Sequence, residues 1–254
     1  MTSPSKQQEP EERNWVDVPY DVMANILHKV DAFDILENAQ KVCTSWRKIC
    51  KDPMMWRVID FSVNHARVDQ LPPLREMCEH AVDRSQGQFV DITIVGFTDN
   101  ELLQYVADRS SQLRRLEISY CFEVTYISWS DALKKLPVLE ELSIYVTHIS
   151  KEAIESAGHY CPMLKTLKLN NNPLRSRELS RFPNERAIAI GKNLPELRHL
   201  ELIGDKMTNV GLEVILNGCR HLESLDLRAC SYIDLSVCSY IDGEGEPIWR
   251  RLNV

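Results

Sequence analysis

The feature that most constrains the fold is a short phrase that returns five times. Leu113-Arg-Arg-Leu116-Glu-Ile118, Leu139-Glu-Glu-Leu142-Ser-Ile144, Leu164-Lys-Thr-Leu167-Lys-Leu169, Leu197-Arg-His-Leu200-Glu-Leu202 and Leu222-Glu-Ser-Leu225-Asp-Leu227 start 26, 25, 33 and 25 residues apart. The last apolar pair of each copy alternates at period two, the signature of a short strand with one buried face. Between copies the apolar residues fall at helical spacing, most clearly Val210, Leu212, Ile215 and Leu216. One strand and one return helix cannot bury their apolar faces alone, so neighbouring units have to stack. The chain is therefore predicted to be α/β, a solenoid with parallel strands inside and helices outside. Cys161-Pro162-Met-Leu164, Leu194-Pro195-Glu-Leu197 and Gly218-Cys219-Arg-His-Leu222 mark the helix-to-strand turns, and Cys121 and Cys230 hold equivalent places after their strands. A degenerate copy, Phe89-Val-Asp-Ile92-Thr-Ile94, followed by a helical pattern over Asn100 to Arg109, starts the array at about residue 88, and it extends to 241.

Residues 15 to 56 follow a different period. Val22, Ile26 and Val30, then Ile35, Ala39 and Val42, then Trp46, Ile49 and Cys50 predict three short helices. Pro19 suits a helix start, Asp34 and Thr44 are expected caps, and Asp52-Pro53 stops the third helix. So short a segment buries little surface, and an exposed apolar face completed by a partner makes physical sense. The ordered run Trp15-Val-Asp-Val-Pro19, Ile26-Leu27, Asp34-Ile-Leu36, Val42-Cys43, Trp46-Arg47, Asp52-Pro53 and Trp56 resembles an F-box. The repeats resemble the cysteine-containing leucine-rich repeats that follow an F-box, and the whole resembles the short plant-type F-box/leucine-rich-repeat proteins.

That resemblance implies a three-helix module over 15–57 that docks on a Skp-type adaptor and through it on a cullin, with the repeats holding a protein client for ubiquitylation. Pro19, Ile26, Leu27, Leu36, Val42 and Trp46 are the expected adaptor contacts, and an Asp at Leu27 is expected to weaken docking. A scaffold, or an adaptor-binding protein that delivers no client, is the alternative. Residues 1–14 are expected to form a disordered leader, 58–87 a linker with adapting helices (Leu71 to Val82 the clearest), and 242–254 a tail. The long third interval places about eight extra residues within Pro173 to Arg186, expected to loop out.

The formal net charge of -7 offers no basic field for a phosphate backbone, so no nucleic-acid partner is expected. No apolar run approaches the roughly 20 residues of a bilayer span, and the polar start is unlike a signal peptide. An intracellular place, nucleus or cytoplasm, and reduced thiols are the expectation. The eight cysteines form no C-x-x-C pair; Cys219 and His221 lie close, but no second pair completes a metal site, so neither metal nor cofactor is expected. Phosphate-loop, nucleophile-elbow and zinc-protease motifs are absent from the sequence, which predicts a non-catalytic protein.

Alternation along each strand selects the residues opposite the leucines: Arg115, Glu117 and Ser119; Glu141, Ser143 and Tyr145; Thr166, Lys168 and Asn170; His199, Glu201 and Ile203; Ser224, Asp226 and Arg228. Tyr145, Lys168, His199, Ile203 and Arg228 are the expected client contacts. The aromatic and β-branched side chains have little reason to be exposed for solubility, and arginine is enriched at binding hot spots. The mixed charges point to a client motif that is neither purely acidic nor purely basic.

Overall fold

The computed structural model describes residues 15, 18–62, 74–147, 149–170 and 182–234. Expectations about the leader at 1–14 and the tail at 242–254 fall outside these residues. The helical module opens with α1 (Tyr20–Leu27), led by Pro19. A continuous run follows, made of α2 (Ala32–Asp34), a π-helical turn (Ile35–Ala39) and α3 (Gln40–Val42). Next come α4 (Thr44–Cys50) and a 3-10 turn (Pro53–Trp56). The caps sit one element boundary earlier than expected. Asp31, not Asp34, accepts the Asp34 N–H, and the Cys43 thiol, not Thr44, accepts the Trp46 N–H. The chain is extended at Asp31 and Cys43, as an N-cap requires, whereas Asp34 is already helical and Thr44 lies inside α4.

α1 divides its apolar residues between the surface and the core. Val22 and Ile26 are exposed, while Met23 and Leu27, one position on, are buried. Two apolar stripes run side by side along this helix, and only the second is used by the chain itself.

The sheet starts sooner than the repeat phrase does. Residues expected to be linker form β1 (Val58–Phe61), which pairs in parallel with β2 (Asp91–Val95) and buries Ile59 and Phe61 completely. Its apolar pair follows Trp56 rather than the leucine of the repeat phrase, so the phrase does not reveal it. The expected adapting helix is α5 (Leu74–Arg84). Units of strand and helix then alternate: α6 (Asn100–Asp108), β3 (Arg115–Ser119), α7 (Tyr126–Leu133), β4 (Glu141–Tyr145), α8 (Lys151–Tyr160) and β5 (Thr166–Asn170). The series ends with α9 (Glu185–Asn193), β6 (His199–Ile203), α10 (Asn209–Gly218) and β7 (Ser224–Asp226). The seven strands form one parallel sheet in sequence order. The phrase leucines and isoleucines of β3 to β7 meet in register as one buried apolar row per position.

Several devices repeat along the solenoid. The turns entering β5, β6 and β7 are closed alike, Leu164, Leu197 and Leu222 each donating an N–H to the carbonyl of Cys161, Leu194 and Cys219. After a strand, the ladder gains one further rung from a residue with positive φ: Gly96, Tyr120, Val146 and Gly204 donate to the next unit's carbonyl at 2.7–2.9 Å. The buried thiols of Cys121 and Cys230 donate to the carbonyls of Ser119 and Leu202, within the unit and one unit back respectively. Asn100, Asn184 and Asn209 each accept an N–H from the following unit, at Thr125, Thr208 and Asp234. Val210 departs from the predicted apolar face: it is exposed at the start of α10, and Gly211 takes the inward place.

The helices on the convex side approach unusually closely. A Cβ at Gly158 would meet the Asn193 carbonyl of α9, one at Gly191 the Val214 carbonyl of α10, and one at Gly218 the Gly191 carbonyl, all at under 3.0 Å. Only glycine permits this spacing between α8, α9 and α10.

The extra segment is shorter on its C-terminal side than expected. Residues 171–181 lie outside the described residues, but Glu185 and Arg186 belong to α9, and Arg186 pairs at 2.7 Å with the buried Asp205 carboxylate. Arg186 is thus part of the packed structure, because its removal would leave Asp205 buried and unpaired.

Candidate interaction surfaces

The helical module joins the solenoid without a spacer. The 3-10 turn ends on Trp56, which is buried and donates its indole N–H to the Cys50 carbonyl at 2.9 Å. Two residues later β1 begins. Arg84, at the end of α5, lies 5.6 Å from the Trp56 ring and donates to Gln40 and Cys50 of the module.

The expected adaptor residues separate into two groups. Leu27 and Leu36, at 1% and 6% exposure, belong to the chain's own core. An Asp at Leu27 would therefore unfold the module before it disturbed any interface. Pro19, Ile26 and Val42 reach the surface, Val42 more fully than Ile26. Trp46 is half-buried and meets Trp15 edge-on, with ring centroids 6.5 Å apart. Both tryptophans line a groove of about 220 Å³ with Val18, Tyr20, Met23 and Ile49. Sequence reasoning missed Val22, Tyr20 and Met54 as further exposed apolar side chains of this module. A large apolar residue on a helix beside a residue that already fills the core was the available signal.

On the solenoid, strand pairing turns the alternate residues into three rows across the concave face. The first runs Asp91, Arg115, Glu141, Thr166, His199 and Ser224; the second Asp60, Thr93, Glu117, Ser143, Lys168, Glu201 and Asp226; the third Val95, Ser119, Tyr145, Asn170 and Ile203. Of the expected client contacts, the sheet brings Tyr145, Lys168, His199 and Ile203 into these rows, and Arg228 lies just past β7. Ser119 and Ser143 are not presented: both are buried.

Ion pairing organises the face. Arg115 pairs with Asp91, Lys168 with Glu141, and Arg228 with Asp226. His199 shares a 2.8 Å hydrogen bond with Ser224. Burial pushes the Glu117 carboxyl above its usual range, Glu141, Asp60 and Asp91 add to the shift, and Lys168 opposes it. Burial likewise raises the Tyr145 phenol, with Glu201 and Glu117 adding to it and Ser143 and Lys168 opposing. Among the described residues no group of three His, Cys, Asp or Glu side chains could hold a metal ion, and no helix is long and apolar enough to cross a membrane.

Residues 15–62 match the family described as F-box-like. The F-box protein SKIP19 of Arabidopsis thaliana is 45% identical over 87% of this chain and 70% of its own length. This chain belongs to the F-box/leucine-rich-repeat family. The putative F-box/LRR-repeat protein 23 of the same plant is 44% identical over 89% of the chain, which spans only 50% of that relative. The putative F-box/LRR-repeat protein 9 is 40% identical over 87% of the chain and 89% of its own length. Among solved structures, a chain from the Rad7 and Elc1 complex in yeast superposes with a TM-score of 0.54 over 86% of this F-box/leucine-rich-repeat chain and 55% of that one. At 16% identity, that likeness concerns the fold alone.

Proposed function

We propose that this F-box/leucine-rich-repeat protein is the substrate receptor of a Skp/cullin/F-box ubiquitin ligase, intracellular and without catalysis of its own. The observation that carries the proposal is an F-box module whose apolar residues Ile26 and Val42 remain at the surface, fused to a sheet with an open polar face. The F-box would hold the adaptor and, through it, the cullin; the concave rows would hold the client. Transfer would then be accelerated by proximity, with the chemistry supplied elsewhere in the complex. Free thiols among the described cysteines fit a reducing compartment.

Thiol chemistry supports the non-catalytic part of the proposal. Burial pushes Cys78 and Cys161 up to about 12 and Cys219 and Cys230 up to about 11, so these thiols stay protonated near neutral pH. The purified chain, incubated with charged ubiquitin-conjugating enzyme but no cullin, is expected to form no thioester. A ubiquitin adduct released by reducing agent would overturn this assignment.

The receptor function is tested by proximity labelling with the wild type and with Tyr145→Ser/Ile203→Thr. The double variant is expected to keep its melting temperature and its adaptor binding while losing clients. An unaltered client list would move recognition away from the strand-lined face.

A further inference from the structure

The charges of the concave face look mixed in the sequence, but pairing removes the mixture. The three permanent cations of the face, Arg115, Lys168 and Arg228, are each held by a carboxylate. Three carboxylates remain, Asp60, Glu117 and Glu201, and none has an ion-pair partner among the described residues. Asp60 accepts the Ser62 N–H and no other hydrogen bond among the described residues. All three stand in the middle row, on β1, β3 and β6. With strands spaced about 4.8 Å apart, they lie roughly 10 and 14 Å from one another along the row.

A second pattern runs beside the first. Val95, Tyr145 and Ile203 occupy the neighbouring row on alternate strands, β2, β4 and β6, separated by the small or polar Ser119 and Asn170. Each is only partly buried. The apolar row is thus about 10 Å in period and lies about 7 Å from the carboxylate row, the rise of two strand residues. A macromolecule that met both rows would have to carry positive and apolar groups in alternation along a narrow extended line. A folded acidic surface would meet Glu117 and Glu201 with like charge, and a purely apolar segment would bury them without a counter-ion. The partial burial that raises Glu117 makes a cation there worth more than one at an exposed rim.

We propose that the concave face takes an extended client segment in which Lys or Arg is interleaved with apolar side chains, the cations meeting Asp60, Glu117 and Glu201 and the apolar groups meeting Val95, Tyr145 and Ile203. This rests on the concave face being the client surface. The test pans a displayed library of random dodecapeptides against the full chain in complex with its Skp-type adaptor, then measures recovered peptides on three variants. Asp60→Asn/Glu117→Gln/Glu201→Gln removes the charges isosterically. Glu76→Gln/Glu155→Gln/Glu213→Gln removes as many from exposed helix positions, and Tyr145→Ser/Ile203→Thr alters the apolar row.

The peptides are expected to be net basic, to bind about tenfold more weakly to the first variant and unchanged to the second, and to weaken as salt is raised. Peptides without Lys or Arg, sensitive to Tyr145→Ser/Ile203→Thr but indifferent to the first variant, would overturn the basic chemistry and leave the concave face as the client surface. Peptides indifferent to both, or no enrichment at all, would overturn the segment and the concave assignment together.

Discussion

Gly218→Ala is expected to destabilise the chain by about 2–4 kcal/mol and to lower its melting temperature by roughly 5–12 °C. In an ordinary helix the same change stabilises by about 1 kcal/mol, because alanine is the better helix former. Here the new methyl would press on the Gly191 carbonyl, and a backbone oxygen in a packed layer cannot swing aside as a flexible side-chain end can. Overpacking outweighs helix propensity and decides the sign. Gly191→Ala, directed at the Val214 carbonyl, should behave alike. Asn217→Ala, exposed on the same helix, should show the helix-propensity gain instead. Urea unfolding of the full chain compares the three; a Gly218→Ala protein as stable as the wild type would mean that α9 and α10 do not meet at these glycines.

Val42→Asp is expected to weaken binding to the Skp-type adaptor by about a hundredfold, and Ile26→Asp by a similar factor, with helicity unchanged. Val42 is 61% and Ile26 37% exposed in the isolated chain, so folding loses less at these positions than in the core, whereas a desolvated apolar contact would have to accommodate a carboxylate. Leu27→Asp provides the contrast. At 1% exposure its carboxylate would be placed in the chain's own core, and the loss should appear as unfolding. Calorimetric titration beside circular dichroism separates the two effects. Native affinity in folded Val42→Asp would remove that residue from the docking surface; a fully folded Leu27→Asp would remove Leu27 from the core.

The same pair shows how far a sequence pattern reaches. Helical periodicity marks Ile26 and Leu27 equally as apolar positions of α1, and nothing local says which of two adjacent stripes the rest of the chain will cover. That choice depends on α4 and on packing between distant segments. The repeat strands are legible because each inward apolar pair follows a leucine at a fixed offset, and stacking permits only one register for the pairs. β1 has the pair behind Trp56 instead of a leucine and reads as linker. The post-strand rung is hidden for a different reason. Its positive φ is met by glycine at 96 and 204 but by Tyr120 and Val146 elsewhere, and a β-branched residue gives no warning of a left-handed backbone. On the candidate client face, alternation gives the membership of the rows. It does not reveal that Ser119 and Ser143 are covered, or that Arg115 and Lys168 are already paired, because the two ion pairs depend on side chains from adjacent strands.

The direct passage from Trp56 into β1 has a consequence for grafting. Val58–Phe61 is covalently part of the F-box end but hydrogen-bonded into the sheet, and Arg84 of α5 reaches back to Gln40, Cys50 and the Trp56 ring. A chimaera cut at residue 57 would leave β1 paired with β2 but set both it and Arg84 against a foreign helical module. One inserted residue at that cut would exchange the two faces of β1, turning Ile59 and Phe61 toward water. The smallest exchangeable block therefore ends after Arg84, and a solenoid moved between family members at that boundary would keep its bearing relative to the helical module; on the proposed function, the reach from bound client to transferred ubiquitin would be inherited with the block.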